Sequence, residues 1–445
     1  MLRPIYIIYR LISGARYRMN RRFTRPGLAI LGGLIVVGAM GVDTDNTVAY
    51  QAFALLLAML AVAVAVSLNF RARFSAVRSL PRFGTAGLPL TYSVSIRNLT
   101  RKTQAGITLL EDLRDPRPSY ADWLTMKLDE QRHVRPFRMS RYRLTNPFKI
   151  VEVTEAAVSP MLPNQEVNVR VELTPLRRGL VQFKGVSFAR SDPLGLFRSF
   201  VKSSLPQAMV VLPRRYPLPP IALPGVMKYQ QGGVALASNI GRSDEFVALR
   251  DYRRGDPVRH IHWRSWAKAG KPIVKEFEDE FFMRHALILD TFTQRPYSDE
   301  FEEAVSVAAS FACTVVTQES LLDLLFVGPQ AYCFTAGRGL AHSDQMLEIL
   351  ASVRPCADKA FGALEHLVVD HVGVVSGCIC VLLAWDPERM ELVRKLRALG
   401  LPVLVLIVRR PGDTRSLEPG PMQDQPDRLH SLEVGQIEEG LARLA

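Results

Sequence analysis

The residues best equipped for chemistry crowd into 250–275. There Arg250, Arg253, Arg254, Arg259, Arg264, Lys268, Lys271 and Lys275 stand against only two acids, Asp251 and Asp256. Gly255 ahead of Asp256-Pro257 permits a tight turn in which the aspartate accepts backbone N–H groups. Arg250 and Arg259 can make two-pronged bridges to Asp256, Glu276 or Glu278. Trp263 offers a large apolar area to bury and an indole N–H that would then need a partner. Two readings stay open. The segment is either an ion-paired clamp between domains, or an exposed surface whose excess positive charge draws phosphate, anionic lipid, nucleic acid or a partner protein. No helix-turn-helix, zinc finger or aromatic RNA-binding motif accompanies the charge, so nucleic acid is disfavoured.

Catalytic constellations are missing from the rest of the sequence. Gly270-Lys271 falls short of a phosphate-binding loop, with Ser265 in place of the first glycine and Pro272 in place of the hydroxyl residue. His260-x-His262 could present two ligands on one strand face, yet no third ligand stands nearby. Cys378-x-Cys380 lies in an apolar strand and Cys313 on a helix, which suits packing. The five cysteines include no Cys-x-x-Cys pair and are odd in number, a pattern of reduced thiols in a cytoplasmic domain. There is no G-x-S-x-G elbow. The expectation is a non-enzymatic protein.

Around these residues the sequence changes character three times. Residues 27–42 and 48–70 are uncharged and apolar, and are separated by the acidic turn Asp43-Thr-Asp-Asn46. At about 1.5 Å per residue the second run can cross a hydrocarbon core of roughly 30 Å; the first is marginal. Residues 1–82 hold eleven Arg, no Lys and two acids, so most of the net charge of +13 flanks these runs. Basic flanks stay inside. A multi-pass helical hairpin in the cell (plasma or inner) membrane is expected, behind a basic N-terminus (1–26), with both chain ends cytoplasmic.

From 71 to 225 apolar residues alternate with polar ones, as in Tyr92, Val94, Ile96 and Val167, Val169, Val171, which predicts a β-sandwich. Residues 114–149 interrupt it as a long excursion. After a connecting segment (226–284), residues 285–412 alternate buried strands with helices, predicting a doubly wound α/β domain. Residues 413–445 read as a polar linker and a terminal helix.

The segment Arg250-x-Tyr252-x-x-Gly255-Asp256-x-x-Arg259-x-Ile261-x-Trp263 resembles the signature of the family called domain of unknown function 58. Asp192-Pro-Leu-Gly-Leu-Phe197, preceded by Arg178-Gly179, is a second match to the same family. Trp266 departs from it, standing where a small residue is expected. The C-terminal α/β part resembles a von Willebrand factor A domain. In such domains a D-x-S-x-S motif holds a divalent cation through hard oxygen ligands. Here the aspartate is Asp290, but Phe292 and Gln294 occupy the serine positions and Thr291 and Thr293 are out of register. Asp386 is the candidate distal carboxylate. A divalent cation is therefore disfavoured, and no cofactor is expected. The resemblance implies a membrane-anchored adaptor or scaffold working with a MoxR-type AAA ATPase in envelope or complex maturation. The alternatives are a metal-dependent ligand-binding protein or hydrolase using Asp290, Asp386 and the histidine pair, and a protein that binds anionic lipid or nucleic acid through 250–275.

Overall fold

The computed structural model describes residues 2–40, 47–68, 70–133, 149–219, 246–254, 256, 258, 261–277, 284–295, 297–317, 321–336, 340–413 and 417–444. Its contacts divide the chain into two compact units, one built mainly on residues 1–214 and the other mainly on 215–445.

The first unit begins with three helices, α1 (Arg3–Arg22), α2 (Arg25–Met40) and α3 (Thr47–Ser67). Among the described residues only α3 is both long and apolar enough to cross a membrane, over Val48–Ser67; α2 offers a shorter apolar stretch, Arg25–Ala39. The two pack together, and a Cβ at Gly38 would lie 3.2 Å from the Phe53 ring. Asp43–Asn46, expected as the turn between them, lies outside the described residues. Residues 1–26, expected only as a basic tail, are mostly helical.

Two sheets follow. β1 (Phe74–Ser79), β3 (Leu90–Asn98), β7 (Glu166–Pro175) and β5 (Val151–Val153) form one, in the order β1-β3-β7-β5. The other runs β2-β9-β8-β4-β6, from β2 (Phe83–Thr85), β4 (Ile107–Leu113), β6 (Ala156–Val158), β8 (Gly179–Ser191) and β9 (Arg198–Leu212). All pairs are antiparallel except β2 with β9. Alternate residues of both sheets, among them Val94, Ile96 and Val171 from one and Leu109, Phe188 and Val211 from the other, close on a single core. The period-two pattern is what half-buried strands require. One ion pair sits inside: Arg78 and Glu111, with side chains 0% and 1% exposed, bond at 2.5 Å. The Arg78 guanidinium also reaches the Leu205 and Gly185 carbonyls, and Tyr92 donates to Glu111 at 2.8 Å. Burial and the adjoining Glu111 push the Tyr92 phenol up. The excursion after β4 contains a helix, α4 (Tyr120–His133), and residues 134–148 are outside the described set.

The second unit opens with a two-stranded antiparallel ribbon, β10 (Phe246–Asp251) and β11 (Ile273–Phe277), connected through α5 (Trp263–Ala269). Then come β12 (Arg284–Leu289), α6 (Asp299–Thr317), β13 (Leu321–Val327), β14 (Ala331–Ala336), α7 (Leu340–Ser352), α8 (Gly362–His371), β15 (Gly377–Leu382), α9 (Pro387–Ala398), β16 (Val403–Arg409), β17 (Leu429–Glu433) and α10 (Ile437–Ala442). The sheet order is β14-β13-β12-β15-β16-β17, parallel throughout except for β14 on the edge. α8 and α9 bury Leu364, Val368, Leu392 and Leu396 against one face, while α6 crosses β12, β13, β15 and β16. Strands covered on both sides must be apolar at every position, and β15 (Gly-Cys-Ile-Cys-Val-Leu) is buried along its whole length. Residues 413–445, read as a linker and a helix, also supply β17, a sixth strand beside β16.

Candidate functional site

In an open α/β sheet, ligands bind beyond the carboxyl ends of the strands where successive crossovers diverge. Here that point is β12, which has β13 on one side and β15 on the other. Asp290 follows β12 directly and is fully buried. Asp386 follows β15 and caps α9, accepting the Arg389 N–H at 3.0 Å, with Pro387 in the first turn behind it.

The two carboxylates do converge, and what they converge on is Arg389. Its Nε donates to Asp290 Oδ2 at 2.7 Å and its Nη1 to Asp386 Oδ2 at 2.5 Å. Asp290 is further held by the N–H groups of Phe292 (2.9 Å) and Leu383 (3.0 Å). The guanidinium lies 4.7 Å from the centre of the Phe361 ring. Burial acts to lower the Arg389 pKa, but the charges and hydrogen bonds of Asp290 and Asp386 outweigh it and raise it. A permanently protonated side chain thus fills the position between the acids. Thr291, out of register for a metal, donates instead to the Val327 carbonyl at 2.5 Å. Among the described residues no group of three or more His, Cys, Asp or Glu is arranged to hold a metal ion. The donor set does not fit a divalent cation, because the site already contains its counter-charge.

The second candidate is the ribbon. Asp256 accepts from both ends of the Arg250 guanidinium, at 2.7 and 2.9 Å, and from the Arg253 N–H at 2.7 Å. The Arg250 bond, followed by the Arg253 N–H, holds its carboxyl at about 2, below the ordinary carboxylate range. Tyr252 N–H bonds to the Pro272 carbonyl at 3.0 Å, and Ile261 bridges to Val274. His262 Nδ1 lies 2.6 Å from the Ser265 hydroxyl at the start of α5, so this histidine serves the turn. Gly255, Arg259 and His260 lie outside the described residues, as do the Glu276 side chain and Glu278.

Trp263 corrects the sequence reading. It is 61% exposed, not buried, and stacks on Trp266 with ring centres 5.2 Å apart. Val258 (62%) and Leu249 (42%) are exposed on the same segment, as are Arg253, Arg254, Arg264, Lys268 and Lys271. The unexpected Trp266 is half of this stack. Sequence reasoning passed over Arg389 altogether, although Asp386-Pro-Glu-Arg389 carries a helix-start signal that could have drawn attention to it.

The other segment singled out in the sequence, Asp192–Phe197, folds as a tight turn around its own aspartate. Asp192 accepts from the N–H groups of Leu194, Leu196 and Phe197 at 2.8, 2.7 and 2.6 Å. The link between α1 and α2 docks on it. Thr24 N–H bonds to the Leu196 carbonyl at 3.1 Å and the rings of Phe23 and Phe197 meet edge to face at 5.2 Å.

A two-unit chain with an ion-braced ribbon and a self-neutralised sheet crest is the class of molecule defined so far. Residues 248–413 match the family described as Protein of unknown function DUF58, and the resemblance read from the sequence holds for that stretch. "Uncharacterized protein YeaD" of Bacillus subtilis (strain 168) is 28% identical over 191 residues, 42% of this chain and 46% of that protein. The alignment thus spans under half of that relative's length. A GH20 exo-β-N-acetylglucosaminidase structure from Vibrio harveyi aligns over 76% of this chain and 57% of its own, with 9% identity and a TM-score of 0.12, too low a likeness to say anything of fold or function.

Proposed function

We propose that this protein is a non-enzymatic adaptor, held in the cell membrane by α2 and α3 as a helical hairpin, with both ends in the cytoplasm. Its ribbon is the docking surface for an ATPase partner of the MoxR class. The hairpin reading is supported by the packing of two apolar helices, charged only at Arg25 where α2 begins, and by the eleven Arg in residues 1–82. The strand order β14-β13-β12-β15-β16-β17, with one antiparallel edge, supports a von Willebrand factor A-like second unit. The ATPase class rests on the family resemblance alone.

One observation carries the docking role: the exposed Trp263, stacked on the half-buried Trp266 and set among exposed bases on a segment stiffened by Arg250 and Asp256. A solvent-facing tryptophan beside arginines is the composition of interface hot spots. The metal-dependent alternative loses support, since Arg389 occupies the place a cation would take.

The test is co-purification in detergent from cells carrying the tagged full chain or its Trp263→Ala form. A MoxR-type ATPase should accompany the first and be at least tenfold depleted with the second. Its equal recovery with both would overturn the surface assignment, and its absence from both would overturn the partner class. Enrichment of anionic lipid or nucleic acid that weakens steeply with salt would instead favour simple anion binding.

A further inference from the structure

Helix α1 keeps its aliphatic side away from the protein. Tyr6, Tyr9 and Ser13 face inward: the Tyr6 hydroxyl donates to the Pro118 carbonyl at 2.9 Å, and the Tyr6 and Tyr9 rings lie 5.6 and 6.2 Å from Trp123 on α4. Gly14, also on the inner side, is buried. The opposite face carries Ile5, Ile8, Leu11, Ile12 and Met19, which are 52%, 54%, 62%, 62% and 39% exposed. Their spacing of three and four residues makes one continuous stripe. A helix that packed only against its own protein would bury that stripe and expose the tyrosines.

Charge and connectivity identify what covers it. α1 contains six Arg, and no acid occurs anywhere in residues 1–42. A helix so charged does not cross a hydrocarbon core, but an apolar stripe flanked by arginines is the composition of helices lying in a membrane interface. Phe23 is extended (φ −92°, ψ 138°), which ends α1, and α2 begins at Arg25. The stripe is therefore continuous with the apolar helix that enters the bilayer. The bond from Thr24 to Leu196 ties the junction to the β-sheet unit.

We propose that α1 lies in the headgroup–acyl boundary of the leaflet that α2 enters, with its aliphatic face in lipid and Arg10, Arg16 and Arg18 on anionic phosphates. It acts as a float that fixes the height of the first unit at the membrane surface. The proposal deepens the membrane-anchor reading and rests on it.

The full chain, reconstituted in vesicles of phosphatidylcholine and phosphatidylglycerol, tests it. An environment-sensitive fluorophore is placed through an unnatural amino acid at the position of Ile8 and, in a second preparation, of Leu57 in α3. The Ile8 probe should be quenched by lipids spin-labelled near the headgroup and spared by aqueous iodide, whereas the Leu57 probe should respond to lipids labelled deep in the chain. Iodide quenching at Ile8 with lipid quenching at Leu57 would overturn the interfacial helix and leave the anchor standing. Lipid quenching at neither site would overturn the anchor and the proposal with it. An Ile8 probe shielded from both quenchers would mean that a second copy covers the face, which also overturns the proposal. Ile12→Asp, at an exposed position that leaves the inner packing intact, should move the Ile8 probe toward iodide.

Discussion

At the residue scale, the Asp290–Arg389 pair has side chains 0% and 8% exposed; removing Arg389 strands Asp290 in low dielectric, whereas Arg389 has Asp386 as a second carboxylate. Asp290→Ala leaves Arg389 its bond to Asp386 but strands the Phe292 and Leu383 N–H groups, and should cost about 1–3 kcal/mol. Replacing both, as in Asp290→Asn with Arg389→Met, should recover most of that loss. Thermal unfolding of the purified full chain in detergent measures both, and an Asp290→Ala protein as stable as wild type would contradict the closed pair. Asp256 gives a pH prediction. Its pKa is depressed to about 2, so the Arg250 brace stabilises the ribbon above roughly pH 4 and is lost as pH falls through 2. Pepsin, active across that range, should begin to cut the ribbon only as pH drops, whereas an Arg250→Gln ribbon should be cut throughout. The free thiols give another. Cys378 and Cys380 are fully buried, and burial pushes Cys380 well up. Cys333 is exposed, but burial of its sulfur and the Asp323 charge raise it to about 11. Among these three thiols alkylation at neutral pH should be slow, with Cys333 labelled first as the solution becomes strongly alkaline.

At the scale of elements, the Asp192–Phe197 turn and the α1–α2 link fit each other closely. A Cβ at Gly27 would collide with the Leu196 carbonyl, which is backbone and cannot swing aside. Gly27→Ala should destabilise the docked arrangement by about 1–3 kcal/mol, an overpacking cost. Asp192→Ala should do comparable harm by stranding three N–H groups. Limited proteolysis near residue 24 reports on both: faster cleavage than wild type is expected, and an unchanged rate would show that the link does not depend on the turn.

For the molecule as a whole, the proposed anchor rests on α3, the described helix long and apolar enough to cross a membrane. The full chain should remain with membranes through alkaline carbonate washing, and a chain lacking residues 25–67 should be released. Release of the full chain would remove the anchor from the account.

Local regularities were legible without coordinates because they are properties of neighbouring residues. The alternation of Tyr92, Val94 and Ile96 predicts the strand found at Leu90–Asn98, and that of Val167, Val169 and Val171 the strand found at Glu166–Pro175. Asp290 and Asp386 were recognisable as groups at strand ends. Arg389 was not, because its bond to Asp290 joins residues 99 apart and exists only once β12 and β15 lie side by side. Likewise β17, short and polar-flanked, is a strand only because β16 offers it an edge. Trp263 looked like core from its type, but a residue's apolarity does not say whether anything stands opposite it. The stripe on α1 was equally present in the letters, at spacings of three and four, but the direction it points depends on Tyr6 and Tyr9 finding Trp123. The sequence by itself determined the apolar helices, the alternating strands, the charge distribution and the family signature, since each follows from spacing within a window of a few residues. Only the tertiary structure decided which acid meets which base, which aromatic stays in water and which helix face is left uncovered, because those outcomes depend on partners brought together from distant parts of the chain.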